Sequence, residues 1–167
     1  MKKQLSTNCG YPVYQNSLTP LGFYDHFNCP KNTTYVISAG AAGEIGYSNV
    51  PFWAADDCLH IECPKYLNSR FLYYALMCQQ KSIYSKVRKA SIPRLSKTVI
   101  ENIIIPLPSV EEQNRIVDIL DRFDALCNDI SAGLPAEIEA RQKQYEHYRD
   151  KLLTFKELYG DKEKQNH

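Results

Sequence analysis

The apolar and polar positions of this chain follow two different periods, and the change between them falls near position 108. Upstream, short runs of β-branched, aromatic and glycine residues predict strands and turns, as at Tyr11–Tyr14 and Tyr35–Ser38. Downstream, apolar residues recur at alternating steps of three and four from Ile116 to Ile130 and again from Ile138 to Tyr159. This spacing predicts two helices whose apolar stripe packs against another helix.

The junction between the two periods has its own signals. Ile103–Pro108 predicts a short buried strand that is closed by prolines. Ser109, followed three residues later by Glu112, matches a capping box and predicts that a helix begins there. The fold class is therefore α/β of the α+β type, a mixed and mostly antiparallel sheet globule followed by long, coiled-coil-like C-terminal helices. The predicted parts are a globule over 1–108, a helical region over 109–159 and a polar tail over 160–167 that frays.

Further elements are predicted inside the globule. Phe52–Ala55 and Cys58–Ile61 have the composition of strands in a half-buried sheet. The glycine-rich segment Ala39–Gly46 predicts a tight hairpin or a bulge, because glycine adopts the positive φ that such turns need. A nucleotide-binding loop is disfavoured for this segment, since no Gly-Lys-Ser/Thr follows and the spacing misses the dinucleotide fingerprint. A helix capped at Asn68-Ser69 is predicted from about Arg70 to Val87, before a basic loop that proline interrupts.

Length and composition are those of an ordinary soluble globular protein, with 167 residues, 44% hydrophobic and 23% charged. No run approaches the roughly 20 apolar residues that span a bilayer, and the N-terminus lacks a signal-peptide core. We therefore expect a cytoplasmic location and no membrane partner. The 6 cysteines are scattered without a Cys-x-x-Cys pair, which favours buried thiols over disulfides or a zinc site.

The formal net charge of +1 hides a strong asymmetry along the chain. Residues 1–63 carry five acids and three bases, and residues 101–167 carry fourteen acids and nine bases. Residues 64–100 carry eight bases and no acid. A basic segment of this kind is typical of a surface that binds a polyanion, and it is equally compatible with a solvated basic face.

No catalytic motif is recognisable in the chain. Asp56-Asp57 lacks a third carboxylate at useful spacing and is interpreted as having a turn or hydrogen-bonding role. Glu62–Lys65 is one residue too long for half of a nuclease site. The segment from Lys81 to Lys97 instead has six cations interleaved with serine and tyrosine, which suits phosphate contacts. The candidate nucleic-acid-binding residues are Lys81, Lys86, Arg88, Lys89, Arg94, Lys97, Tyr14, Asn16 and Tyr47.

Taken together, these patterns resemble the specificity subunit of type I restriction-modification systems, with a single target recognition domain and one conserved helical region. The likeness covers nearly the whole chain. Its most specific part is the entry from a proline-closed segment into a helix that starts with Glu-Gln. The residues that carry it are Asn102–Pro108 with Glu112-Gln113, Ile116-Val117, Leu120-Asp121, Phe123, Arg141-Gln142, Gln144-Tyr145, Tyr148–Asp150 and Leu152–Phe155, together with Tyr11–Tyr14, Ser38–Gly43 and Phe52-Trp53.

The resemblance implies sequence-specific recognition of double-stranded DNA without catalysis by this chain. Residues 1–108 would form the DNA target recognition domain, lacking its first strand, and residues 109–159 a conserved helical spacer and dimerisation region. In this family the domain reads one half of a bipartite site, and methyltransferase (M) and restriction (R) subunits assemble on the specificity subunit. The resemblance places S-adenosylmethionine, ATP and Mg on those partner subunits, so that no cofactor is expected on this chain.

The chain departs from the family pattern because the usual subunit has two recognition domains and two helical regions. A half-subunit, a truncated or recombined gene product and an excised fragment all remain open. We expect the helices to pair antiparallel in a homodimer or with another half-subunit. The alternative is a truncated half-subunit that serves as a structural assembly module without independent DNA reading. The predicted helix-pairing residues are Ile138, Tyr145, Tyr148, Leu152 and Phe155.

Overall fold

The computed structural model describes residues 5–6, 9–125 and 143–144. The chain divides into two compact units, Met1–Leu120 and Asp121–His167. In the second unit, residues 121–125 and 143–144 are helical. The described part of the first unit contains strands β1 (Tyr11–Tyr14), β2 (Gly22–Tyr24), β3 (Thr33–Ile37), β4 (Ile45–Ser48), β5 (Trp53–Ala54) and β6 (Cys58–His60), and helices α1 (Ser69–Cys78), α2 (Gln80–Ser85), α3 (Lys97–Glu101) and α4 (110–120).

The strands form two three-stranded sheets, in the orders β2-β1-β5 and β4-β3-β6. β1 pairs antiparallel with β2 and parallel with β5, where Val13 lies opposite Trp53. β3 pairs antiparallel with both of its neighbours, with Val36 opposite Ile45 on one side and Leu59 on the other. The described strand pairs are thus mixed and mostly antiparallel, and the predicted α+β class is confirmed. Most of the long C-terminal helices predicted with it lie outside the described residues.

β3 contributes side chains to both hydrophobic clusters described in the first unit. It is buried along its whole length, and its side chains alternate between the two faces of the sheet. Val36 packs with Leu72 and Leu76 of α1 and with other apolar residues on the helical side. Tyr35 and Ile37 pack in the other cluster, which extends to the first sheet through β5. A strand buried on both faces explains the continuous apolar and β-branched composition of this segment.

Two predicted elements differ from the structure. The helix predicted from about Arg70 to Val87 is broken at Gln79, whose N–H donates to the Leu76 carbonyl at 2.9 Å and closes a tighter last turn of α1. The prediction of a strand at Ile103–Pro108 is wrong, because this segment pairs with no strand among the described residues. Its prolines lack the N–H that a strand ladder needs, and the Ile104 carbonyl accepts from the Gln79 side chain at 2.8 Å.

Ile103 and Ile105 pack against the helical-side cluster, whereas Ile104 is 88% exposed. Between these inward isoleucines and the Leu59–Glu62 segment lies a cavity of about 390 Å³. The side chains of this segment therefore alternate between buried and exposed, as in a strand, although the segment is not part of a sheet among the described residues.

The cysteines of the described residues are free thiols. Cys29 and Cys58 are buried, as predicted, but Cys9 and Cys78 are exposed. Burial raises the pKa of the Cys58 thiol to about 12, with a smaller contribution from the neighbouring Cys29. Among the helices that the structure describes, none is both long enough and apolar enough to cross a membrane.

Candidate nucleic-acid interface

Three loops meet at the carboxyl end of β3. The first is the glycine hairpin, residues 38–44 between β3 and β4. Its glycines adopt positive backbone angles, with φ of 81° at Gly40 and 93° at Gly43, a region that side chains rarely tolerate. The Gly43 N–H donates to the Ile37 carbonyl at 2.8 Å and closes the turn. The tight hairpin predicted for this segment is therefore confirmed.

The second loop is the polar turn, residues 15–19 after β1, which docks on the glycine hairpin through the backbone. The Ala41 N–H donates to the Asn16 carbonyl at 2.9 Å. A Cβ at Gly40 would lie only 2.8 Å from the same carbonyl oxygen, so any other residue there would push the turn away. The Asn16 side chain remains exposed beside the hairpin and is available to a ligand.

The third loop is the basic loop, residues 88–95, and its two ends are tied together. The Arg88 N–H donates to the Arg94 carbonyl at 2.8 Å, and the Arg94 N–H donates to the Arg88 carbonyl at 3.2 Å. These reciprocal bonds form an isolated antiparallel bridge. The sequence predicted a basic loop here, and the bridge makes it a closed one.

The basic loop is also attached to the glycine hairpin. The Gly40 N–H donates to the Pro93 carbonyl at 3.2 Å, and the Leu95 N–H donates to the Ser38 carbonyl at 2.7 Å. Leu95 is 4% exposed and packs in the helical-side cluster. The polar turn and the basic loop are thus both attached to the glycine hairpin by backbone hydrogen bonds, at the neighbouring residues Gly40 and Ala41.

The cations of this region point into solvent. Within the part of the chain that the structure describes, all but one of their side chains form no ion pair or hydrogen bond with protein. Lys97 differs, because its ammonium group lies 3.5 Å from the Glu101 carboxylate on α3. The exposed cations that make no such interaction are Lys81 and Lys86 on or next to α2, and Arg88, Lys89 and Arg94 of the basic loop.

α2 packs directly over the glycine hairpin. A Cβ at Gly43 would lie 2.8 Å from the Tyr84 ring, so the hairpin needs glycine for this contact as well. The Tyr84 hydroxyl accepts a hydrogen bond from the Gln80 side chain at 3.0 Å. Partial burial raises the pKa of Tyr84, and the nearby Glu44 carboxylate raises it further. The Tyr84 hydroxyl therefore keeps its proton and stays neutral beside the cations.

The two candidate tyrosines lie in packed positions. Tyr14 stacks on Tyr35 with ring centroids 4.8 Å apart and meets the edge of Phe52 at 5.5 Å. The guanidinium of Arg70 lies 4.7 Å from the centroid of the Tyr47 ring, in a cation–π contact that α1 shares through Tyr73. The structure therefore gathers Asn16 and the basic-loop cations, and it places Tyr14, Tyr47 and Lys97 in other contacts.

Sequence reasoning predicted where α4 begins but only part of how it is capped. The Glu112 N–H donates to the Ser109 hydroxyl at 3.3 Å, which confirms Ser109 as the N-cap. The Glu112 carboxylate pairs with Arg115 at 2.8 and 2.6 Å instead of bonding back to the Ser109 N–H. The hydrogen bonds and charge of Arg115 hold the pKa of Glu112 below its usual range. The reciprocal half of the capping box is thus replaced by an ion pair on the helix surface.

Gln113 is the residue whose role the sequence analysis missed. Its side chain is 0% exposed, yet all of its polar atoms have partners. The Oε1 atom accepts from the Asn68 N–H at 2.8 Å, and the Nε2 atom donates to the Tyr66 and Pro108 carbonyls at 2.9 Å each. The only sequence signal was the Glu-Gln pair at the helix entry. Gln113 joins the first turn of α4 to the segment that leads into α1.

The predicted helix-pairing residues are not part of this geometry. Ile138, Tyr145, Tyr148, Leu152 and Phe155 lie outside the described residues. The division at position 108 and the frayed tail remain predictions.

The known proteins that resemble this chain in sequence include two specificity subunits of type I restriction enzymes. The MpnII type I restriction enzyme specificity subunit of Mycoplasma pneumoniae is 34% identical over 148 residues, covering 86% of this chain and 44% of the relative. The EcoR124I/EcoR124II specificity subunit of Escherichia coli is 42% identical over 88 residues, covering 52% of this chain and 22% of the relative. The chain spans about half or less of the length of these relatives.

The crystal structure of a type I restriction-modification S subunit from M. genitalium has a similar fold. The TM-score is 0.67 at 26% identity, and the match covers 92% of this chain and 41% of the solved one. The family model described as the type I restriction modification DNA specificity domain matches residues 1–140. Because this match spans most of the sequence, the chain belongs to the type I restriction-modification DNA specificity domain family.

Proposed function

We propose that this chain is a DNA sequence-recognition subunit of a type I restriction-modification system, reading one half of a bipartite site. Double-stranded DNA would lie across the exposed ends of the glycine hairpin, the polar turn and the basic loop. The observation that carries the proposal is the attachment of two of these loops to one hairpin, which presents the three exposed cations of the basic loop beside a polar turn. Two more exposed cations, Lys81 and Lys86, lie on or next to α2. Exposed cations that form no ion pair or hydrogen bond with the described residues are suited to replace the counterions of DNA phosphates.

The proposed division of labour follows the chemistry of the loops. Lys81, Lys86, Arg88, Lys89 and Arg94 contact phosphates and set the orientation of the domain on the duplex. Asn16, held beside the hairpin, is placed to contact a base edge, since an amide can pair with adenine through two hydrogen bonds. Tyr14 and Tyr47 support the loops by packing, and Lys97 adds to the basic potential from α3.

The partners named by the family belong to the same proposal. Methyltransferase subunits would dock on the helical region and carry out methyl transfer, and the restriction subunit would join them. This chain would contribute recognition and assembly without catalysis. With one recognition domain, it would complete a bipartite site by pairing its helices with a second copy, which is the commonest closed arrangement of identical chains. A homodimer of this kind would recognise an interrupted palindrome.

The experiment that tests DNA recognition compares binding over a series of salt concentrations. The full chain is first used to enrich duplexes from a randomised library, and affinity is then measured by fluorescence anisotropy. Replacing Lys86, Arg88 and Lys89 with alanine should weaken binding to all duplexes. It should also reduce the slope of log K against log salt by about 0.9 for each phosphate that the variant no longer neutralises.

Lys31 offers a matched control. It is an exposed lysine just before β3, at the end of the strand opposite to the basic loop, and the five-residue strand alone is about 16 Å long. Lys31→Ala should leave the salt slope unchanged. If no duplex is enriched, or if the triple variant keeps the full slope, the basic loop is only a charged surface. The assembly module without DNA reading would then be the better description.

A further inference from the structure

The tip of the basic loop carries an exposed apolar side chain. Ile92 is 55% exposed, and its neighbours Ala90 and Ser91 are exposed too. A single exposed apolar residue is ordinary on a protein surface. Two further properties of this loop make Ile92 different, namely how firmly the loop is held and which charges surround it.

The loop is held at several points on both sides of Ile92. The Arg88–Arg94 bridge closes its base with two backbone hydrogen bonds, and the bond from Gly40 to the Pro93 carbonyl holds the residue next to Ile92. Proline also restricts its own φ, which removes freedom on the same side. Leu95 anchors the far end in the hydrophobic cluster. The isoleucine is therefore displayed at a constrained position.

The base of the loop places two like charges opposite each other. Arg88 and Arg94 are direct partners in the bridge, both side chains are exposed, and Lys89 follows immediately. Like charges opposite each other across strands are destabilising. No carboxylate among the described residues pairs with them, so a polyanion at the base of the loop would relieve the repulsion. The same polyanion would then lie against the Ile92 tip.

We propose that Ile92 acts as an apolar wedge that enters between two stacked base pairs of duplex DNA while the loop arginines hold the flanking phosphates. The proposal rests on the proposed function, because it requires the chain to bind duplex DNA. Isoleucine is among the side chains that proteins insert between base steps, partly unstacking them and kinking the duplex. Pyrimidine–purine steps unstack most easily. Ile92 would therefore favour such a step without forming any hydrogen bond to a base.

The test uses the purified full chain and duplexes that it has enriched from a randomised library, with 2-aminopurine placed at each position in turn. The fluorescence of this base rises when it is unstacked. Binding of the unmodified chain should raise the fluorescence at one step. Ile92→Ala should abolish that rise and weaken binding by about tenfold, since alanine buries much less apolar surface against the bases. Ile92→Leu, which keeps a branched apolar side chain, should restore most of the signal.

Ile104 provides the matched control, because it is an isoleucine that is 88% exposed and belongs to the Ile103–Pro108 segment instead of the basic loop. Ile104→Ala should change neither the signal nor the affinity. The salt slope should be the same for Ile92→Ala and the unmodified chain, because no cation is removed. DNA binding with no fluorescence rise at any position, or a rise that Ile92→Ala leaves intact, would overturn the wedge while the proposed function stands. A chain that enriches no duplex would refute both.

Discussion

Gln113→Leu is the substitution for which the structure makes the sharpest prediction. Leucine has a similar volume and fills the same space, so the change removes hydrogen bonds without opening a large cavity. Three backbone groups lose their partner, namely the Asn68 N–H and the Tyr66 and Pro108 carbonyls. The side chain is 0% exposed, so water does not replace it without local opening.

The magnitude follows from the cost of leaving such groups unpaired, which is about 1–3 kcal/mol each. The extra burial of an apolar side chain offsets part of the sum. We therefore expect the free energy of unfolding to fall by about 3 kcal/mol, a large fraction of the roughly 5–15 kcal/mol that stabilises a typical domain.

Urea unfolding followed by tryptophan fluorescence measures this change cleanly. The chain has 1 tryptophan, and Trp53 lies in β5 of the first sheet with its ring 5.2 Å from that of Tyr24. The signal therefore reports on a part of the first unit that does not contain Gln113. We expect a lower midpoint with an unchanged m value, because the surface exposed on unfolding is the same.

Asn114 supplies the control one residue along α4. Its side chain is exposed and accepts a hydrogen bond from the Asn68 side chain at 2.7 Å. Asn114→Leu should cost less than about 1 kcal/mol, because water can replace an exposed partner. If Gln113→Leu cost no more than Asn114→Leu, the three buried bonds would not join α4 to the globule in the way described.

Two further predictions concern the core and the helices. Burial raises the pKa of the Cys58 thiol to about 12, so the unfolded thiol loses its proton at a lower pH than the folded one. The free energy of unfolding should therefore fall as pH rises from about 9 towards 12, by up to about 1.4 kcal/mol per pH unit from this residue. In urea titrations at several pH values, the free energy of unfolding of Cys58→Ala should decline less steeply with pH than that of the unmodified chain. An identical decline would contradict the reasoning. Cys78→Ala, at an exposed cysteine, is the control. Leu152→Glu should convert the proposed homodimer to monomers, as measured by light scattering. Gln144→Glu makes the same charge change at an exposed position and should leave the dimer intact. An unmodified chain that is monomeric at micromolar concentration would refute the pairing.

Much of the first unit could be predicted from local sequence patterns. β1, β3, β5 and β6 lie within or close to the predicted strands, and the positive φ of Gly40 and Gly43 matches the predicted hairpin. These features depend on near neighbours, namely side-chain alternation and the absence of a Cβ. Ser109 as the N-cap of α4 belongs to the same class, since capping is decided within one turn of helix.

The errors arose where a segment needs a distant partner. Ile103–Pro108 has the composition and alternation of a strand, but a strand also needs a ladder, and no neighbouring strand among the described residues supplies one here. The break at Gln79 likewise coincides with the long-range bond from its side chain to the Ile104 carbonyl. Neither the lack of a partner strand nor the Gln79–Ile104 hydrogen bond can be predicted from the residues next to it in the sequence.

The sequence by itself determined the family, the charge asymmetry and the identity of the candidate cations, because each of these is a property of residue types in order. Only the tertiary structure decided which candidates share a surface. Backbone hydrogen bonds to Ser38 and Gly40 attach the basic loop, a bond from Ala41 attaches the turn that carries Asn16, and these partners lie tens of residues apart. In the same way, Tyr14 packs against an aromatic ring on β3, and Tyr47 packs against one on α1. Long-range interactions of this kind depend on how the sheets and helices assemble, and no local pattern encodes them.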